Sequence, residues 1–269
     1  MPTNVTGLLL ISDVDGTLFS GDLSVSPRNL AAIERIRAAG GLFTFASGRP
    51  VYALRPWARR FGVRCPAAAI NGAVLYDFGA EKLLWQEALP RECVELAAEI
   101  GARFPAVGIE GHTEARAGVL RWSPEGERHV LRENMPYAEL TAGELAGIPC
   151  NKMLFAAPAP LLEEIRAYLQ PLLPAGTYLV RTSDVYLELL PDSADKGRAV
   201  ERLAELFGVP REKLCCIGDY DNDIPMLACA ARSACPADGR ASVRERADYV
   251  VGPAKDGAVA DFIKILMGA

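Results

Sequence analysis

The feature that most constrains this chain is an apolar run, Leu8-Leu9-Leu10-Ile11, followed almost at once by Asp13-Val14-Asp15-Gly16-Thr17-Leu18. A short apolar run closed by acids and glycine reads as a buried strand that ends in a turn. Side chains two apart in a strand share one side, so Asp13 and Asp15 leave the strand end together. Gly16 lets the backbone turn there at little steric cost. Two carboxylates at a strand end suit a hard divalent cation such as Mg2+, which prefers oxygen ligands. The same pair can instead supply one nucleophile and one proton donor. Taken alone, the hexapeptide also admits the plainer reading of a polar turn closing a strand; three later segments weigh against that reading.

The pattern around it predicts a parallel sheet flanked by helices. Residues 7–12 form the first strand. Ser26-Pro27 opens a helix, with a capping hydroxyl and Pro in the first turn, and Leu30, Ile33 and Ile36 at helical spacing. Gly40-Gly41 ends it, and 42–46 is a second strand. A helix over 51–61 follows, with Pro56 expected to kink or break it. A third strand, 65–70, ends at Asn71-Gly72. Strand–helix–strand–helix–strand is the mark of an α/β core. The rhythm then changes to a hairpin over 73–89, a helix over 94–104, strand-like pieces over 107–130, and further strands over 152–156 and 178–190 around a helix over 160–172. From Asp195 the first rhythm returns. The expected fold is therefore α/β, a Rossmann-like parallel-sheet core in two parts, 1–83 and 191–269, interrupted by an α+β insert with an antiparallel sheet at 84–190.

Composition narrows the function. The chain has 269 residues, half of them hydrophobic and 23% charged, enough for a sizeable core. The net charge is −5 with no long basic run, which argues against nucleic acid as the partner. No apolar run approaches the roughly 20 residues of a membrane helix, and Met1–Thr6 carries no secretory signal, so a cytoplasmic protein is expected. Seven cysteines without a Cys-x-x-Cys pair read as reduced, mostly buried thiols rather than zinc ligands. His112 and His129 lie outside every motif and read as surface or satisfied polar residues.

Ligands of an open parallel sheet bind beyond the carboxyl ends of its strands. Those ends here carry Asp13 and Asp15, then Ser47-Gly48-Arg49, then Asn71-Gly72, then Gly218-Asp219 followed by Asp221, Asn222 and Asp223; Lys196 opens the helix after the insert. Clustered acids repel unless a cation joins them. Mg2+ held by Asp13 and Asp219, with Lys196 and Ser47 facing phosphoryl oxygens, makes a site for phosphoryl transfer, where positioning and charge stabilisation do most of the catalysis.

On Asp13-Val14-Asp15-Gly16-Thr17, Ala46-Ser47-Gly48-Arg49, Lys196-Gly197 and Gly218-Asp219-Tyr220-Asp221-Asn222-Asp223, the chain resembles the haloacid dehalogenase superfamily of phosphohydrolases, in its Cof-type branch, over nearly its whole length. The resemblance implies that Asp13 is the nucleophile and Asp15 the acid and base. It implies Mg2+ held by Asp13, the Asp15 carbonyl and Asp219 with Asp223 in support. It also implies phosphate binding by Ser47, Gly48, Lys196 and Asn222, with Arg49 and Asn71 at the substrate rim. The insert between the second and third motifs then acts as a cap that selects the leaving group. Ser47 stands where many relatives carry Thr, and Asp195, preceding Lys196, either lowers the local positive charge or caps the helix. The expected activity is a Mg2+-dependent phosphatase of small phosphorylated metabolites, sugar phosphates foremost, through an aspartyl-phosphate. The alternatives are a phosphomutase or phosphotransferase, a phosphoglycolate or mannosyl-phosphoglycerate phosphatase, and a non-catalytic metabolite-binding regulator. Arg116, Arg121 and Arg181 are candidates for substrate anions. Oligomeric state is not legible in the sequence.

Overall fold

The structure, a computed structural model, describes residues 5–21, 23–132 and 134–268. The first four residues, part of the reading of the chain's start, lie outside the described residues. The described chain divides into two compact units: one holds the chain through Gly48, Trp57–Leu84 and Asp195 onward; the other holds Arg49–Pro56 and Trp85–Ala194.

The first unit is built on five parallel strands in the order Tyr249–Val251, Arg232–Pro236, Leu214–Ile217, Leu9–Ser12, Leu42–Phe45. Strands Leu214–Ile217 and Leu9–Ser12 are buried along their whole length, as strands covered on both faces by helices must be. Pro66–Ala69 joins the edge through a parallel bridge between Ala46 and Ala68, and pairs on its other side with Val74–Asp77 in a hairpin. A further turn follows Asp77, whose side chain accepts hydrogen bonds from Gly79 N and Ala80 N at 2.8 and 3.0 Å, and leads into strand Lys82–Gln86. The register decides where the chemistry falls. Ser12 pairs with Ile217 on one side and Phe45 on the other, so three strands end level and the residues after them emerge at one edge.

Helix Pro27–Ala38 begins with Ser26 at the cap position and Pro27 at the first turn, but the Ser26 hydroxyl makes no capping hydrogen bond. Helix Val51–Arg60 runs through Pro56 without the expected break. A proline removes one backbone donor, and buried Val51, Leu54 and Ala58 anchor the helix on both sides of it.

The second unit carries a six-stranded sheet in the order Thr177–Ser183, Tyr186–Pro191, Lys152–Ala156, Gly108–His112, Ala117–Arg121, Tyr137–Glu139. All its pairs are antiparallel except the last. One face buries Ile109, Met153, Phe155, Leu187 and Leu189 against helices Arg91–Arg103 and Ala159–Leu169. Each such side chain contributes about 1.5–3 kcal/mol when fully buried. Residues 123–132 differ from the strand-like expectation for 107–130. Pro124–Arg132 is a helix, with Pro at its start, Glu125 and Glu127 in its first turn, and the Ser123 hydroxyl accepting from Gly126 N at 3.1 Å. Among the described residues, no helix is long and apolar enough to cross a membrane. All seven cysteines are free, five of them buried.

Candidate active site

The level strand ends bring four sequence segments together within the first unit. Asp13 N donates to Ile217 O at 2.9 Å, which fixes the first acid beside the strand that leads to Asp219. Asp13 is buried, while Asp15 two residues on is exposed. Gly16 follows at φ +80°, and a Cβ built there would lie 2.4 Å from Asp219 Oδ2. Only glycine lets the turn pass so close to that carboxylate. Thr17, a motif residue given no role from sequence, donates from its hydroxyl to Asp219 Oδ1 at 2.7 Å.

Lys196 opens helix Lys196–Phe207, and Asp195 caps it by accepting from Arg198 N at 2.9 Å. Of the two roles expected for Asp195, the structure shows the cap. The Lys196 ammonium is 2% exposed and donates to Asp13 Oδ1 and Asp223 Oδ1, both at 2.6 Å. Asp223 is itself fixed, because its Oδ2 accepts from Asp219 N and Tyr220 N at 2.9 Å each. Carboxylate oxygens of Asp13, Asp219 and Asp223 all lie within 4.8 Å of one another.

Three acids and one lysine in a buried space perturb one another. Burial, then the Asp223, Asp219 and Asp15 charges, push the Asp13 carboxyl well above its ordinary range, against the pull of Lys196. Burial and Asp223 raise Asp219 to about 6, although the Thr17 hydroxyl works the other way. Burial alone would lower the Lys196 ammonium; Asp13 and Asp223 reverse this and hold it above its usual value. The protein therefore gathers more carboxyls than one lysine can hold ionised. A divalent cation fits this donor set, with hard oxygens close together and at least two carboxyls that resist ionising without one.

A second group borders the acids. Ser47 N donates to Ala68 O at 3.0 Å, and Asn71 N donates to Ser47 O at 2.9 Å. Asn71 sits at φ 52° and accepts at its side-chain oxygen from Asn222 Nδ2 at 2.9 Å. Gly48 passes beside the same amide, where a Cβ would stand 3.2 Å from Asn71 Oδ1. Ser47, Gly48, Asn71 and Asn222 are thus linked through neighbouring backbone and amide groups. Asp221 stands apart from the acids, exposed and tied to Arg240 and Ser242. Arg49 belongs to the second unit. Of the arginines considered for substrate anions, Arg181 is engaged by Glu163 and by the carbonyls of Ser183 and Asp184, and Arg116 and Arg121 are exposed.

The comparisons with known proteins agree with this geometry. The family model of haloacid dehalogenase-like hydrolases matches residues 10–263, and the chain belongs to that family. It is 27% identical to an HMP-PP phosphatase of Serratia proteamaculans, over 80% of this chain and 78% of that one. It is 22% identical to the 5-amino-6-(5-phospho-D-ribitylamino)uracil phosphatase YitU of Bacillus subtilis, over 95% of this chain and 96% of that one. A crystal structure of a haloacid dehalogenase-like hydrolase from Bacteroides thetaiotaomicron superposes with a TM-score of 0.88 at 26% identity, covering 96% of this chain and 99% of that one. The chain is accordingly a phosphatase of this family, a phosphoric monoester hydrolase acting on phosphorylated small molecules.

Proposed function

We propose that this protein hydrolyses small phosphomonoesters, sugar phosphates foremost, with Mg2+ and through an aspartyl-phosphate on Asp13. The observation that carries the reading is Lys196 held 2.6 Å from both Asp13 and Asp223, beside Asp219. A lysine so placed orients one oxygen of Asp13 and leaves the carboxylate able to attack phosphorus. Asp13, the Asp15 carbonyl and Asp219, with Asp223 in support, would hold Mg2+. When bound, the ion supplies charge that offsets the repulsion between carboxylates and phosphate.

In the first step Asp13 attacks the phosphoryl group, the bond to the leaving oxygen breaks, and Asp15 delivers a proton to the departing alcohol. In the second step Asp15, now ionised, takes a proton from water as that water attacks the aspartyl-phosphate, releasing phosphate and restoring Asp13. Lys196 balances the charge of the transferring group, and Ser47, Gly48 and Asn222 present hydrogen bonds to its oxygens. Asn71 keeps Asn222 in place, Arg49 belongs to the substrate rim, and the insert serves as the cap that selects the leaving group.

The relatives named for a ribitylaminouracil phosphate and for HMP-PP favour a phosphorylated metabolite over a macromolecule as substrate. The test is a panel of phosphorylated metabolites with Mg2+, followed by an acid quench that traps label from a 32P-substrate on the protein. Label on the wild type that is absent from Asp13→Asn supports the covalent route. Turnover by Asp13→Asn at more than a few per cent of the wild-type rate, on the order of what residual positioning alone supplies, would overturn it.

A further inference from the structure

The second unit contains its own cluster of chemically able side chains, apart from the phosphatase residues. Strand Gly108–His112 alternates, and Glu110 and His112 point away from the helix-covered face that buries Ile109. Glu110 and His112 are 1% and 0% exposed. His129 reaches them from helix Pro124–Arg132 and places Nδ1 2.9 Å from Glu110 Oε2. His112 Nε2 lies 3.4 Å from the same oxygen. One donor atom from each of the three residues lies within 4.8 Å of the others.

Among the described residues, two buried atoms in this group find no hydrogen-bond partner, Glu110 Oε1 and His112 Nε2. An unpaired buried acceptor costs about 1–3 kcal/mol, so a fold that keeps two of them together needs a reason. This corrects the sequence reading of His112 as a surface or satisfied residue. The helix leaves room beside one of these atoms. Gly126, three residues before His129, faces Glu110 Oε1, where a Cβ would stand at 3.4 Å.

We infer that Glu110, His112 and His129 form a transition-metal site, filled by Zn2+, that cross-links strand Gly108–His112 to helix Pro124–Arg132. Two imidazoles and one carboxylate are borderline ligands that suit Zn2+ over Mg2+. Donors around a tetrahedral zinc stand roughly 3.3 Å apart, given metal–ligand bonds of about 2.0–2.1 Å. The separations of 2.9 and 3.4 Å from Glu110 Oε2 bracket that value. Ligation at His112 Nε2 requires the ring proton on Nδ1. Tyr52 meets that atom, with its hydroxyl 2.6 Å from His112 Nδ1, and fixes the ring as outer-shell partners of zinc histidines do. Lys152, opposite His112 in the sheet register, donates to Glu188 at 2.9 Å. Three protein ligands leave a fourth position for water.

The proposal does not depend on phosphoryl transfer, and its test does not read activity. The full chain is stripped with a chelator, supplied with excess Mg2+ to occupy the aspartate cluster, and titrated with Co2+ while tetrahedral d–d absorption is followed; Zn2+ is then added in competition. One equivalent of Co2+ that absorbs and is displaced by Zn2+ is the expected result. His129→Gln, at a partly exposed position, should weaken binding about 100-fold or more through loss of a ligand, and Tyr52→Phe about tenfold through loss of the outer partner. Asp219→Asn should leave the absorption intact. Zn2+ should also raise the unfolding temperature of wild type and of Asp219→Asn but not of His129→Gln. The proposal is overturned by an absence of absorption with Mg2+ present. It is equally overturned by absorption that survives His129→Gln and disappears in Asp219→Asn.

Discussion

The two units each bury a lysine against carboxylates, and the contrast between them separates structure from chemistry. In the second unit Lys152 and Glu188 form an ion pair, 4% and 8% exposed, on neighbouring strands of one sheet face. In the first, Lys196 is shared between Asp13 and Asp223, and a third acid, Asp219, stands beside them with its carboxyl pushed up to about 6. Lys152 meets Glu188 on that face, whereas Lys196 donates to two acids and a third stands beside them. A buried excess of charge is costly and persists where binding or catalysis uses it. The lesson is that several acids converging on one lysine at the strand ends, more than burial, mark the active cluster.

The sharpest way to break that contrast is to remove the proposed nucleophile. Asp13→Asn should lower kcat by about 1,000-fold or more, equivalent to about 4 kcal/mol of barrier. It should leave the unfolding temperature unchanged or higher, because a carboxyl that resists ionisation is replaced by a neutral amide of equal size. Phosphate-release kinetics and a thermal melt check both halves. A variant that loses stability along with activity would make Asp13 an anchor of the fold rather than its reagent.

Next in size is the paired test of the lysines. Lys152→Met leaves Glu188 buried without its partner and should cost about 3–5 kcal/mol, whereas Lys152→Met with Glu188→Leu should return to within about 1–2 kcal/mol of wild type. No rescue of activity is expected around Lys196. Lys196→Met should destabilise by a similar amount and abolish turnover, and restoring stability by adding Asp223→Leu should not restore activity. Denaturant unfolding beside phosphate release measures both. If the Lys196 double variant regained activity, the two lysines would be equivalent and the contrast would fail.

The same contrast explains what could be read from sequence. Asp13, Asp219, Ser47 and Lys196 were legible because each follows a strand end or opens a helix, positions marked by Gly16, Gly218, Gly48 and the Asp195 cap. The level register, with Ser12 opposite both Ile217 and Phe45, then brings them together without any information beyond strand order. Thr17 was visible but without a role, since its bond to Asp219 spans 202 residues and no local spacing reports it. The second unit was less legible. Pro124–Arg132 has only Val130 and Leu131 as large apolar residues, too few to mark a helical stripe, and packing of Val130 with Val119 and Met135 fixes the helix. His112 and His129 carry no motif because strand alternation and a helix face, rather than spacing, place them against Glu110. The assignment of Arg49–Pro56 to the second unit likewise follows from Tyr52 and Ala53 packing on Ala117 and Val119, a contact far in sequence.

A smaller effect is expected at Gly16. Gly16→Ala forces a side chain into φ +80° and toward Asp219 Oδ2, 2.4 Å from an ideal Cβ. The strain should cost about 1–2 kcal/mol of stability. Displacement of Asp219 should raise the Mg2+ concentration needed for half-maximal activity about tenfold, as a loss of about 1.4 kcal/mol in binding. The Mg2+ dependence of the rate shows it. Unchanged Mg2+ dependence in a folded Gly16→Ala protein would place the ion away from Asp219.

The smallest effect is in pH, and its sign is fixed by the direction of the Asp219 shift. Its carboxyl is raised from 3.8 to about 6, by burial first and then by Asp223. Between those values the folded, metal-free site holds a proton that the unfolded chain has released, so this group stabilises the fold fully below about 3.8 and loses that contribution as pH rises through about 6. Asp13, pushed in the same direction, adds to the trend. A divalent ion needs the ionised carboxylates and therefore competes with these protons. Stabilisation by Mg2+ should be weak at about pH 5 and grow at about pH 7.5, reaching near 2.7 kcal/mol at a hundredfold excess over Kd, a rise of several degrees in unfolding temperature for a chain of this size. Melts with and without Mg2+ at the two pH values measure the difference directly. An equal Mg2+-induced rise at both would mean that the ion binds groups already ionised at pH 5, and Asp219 would not be one of them.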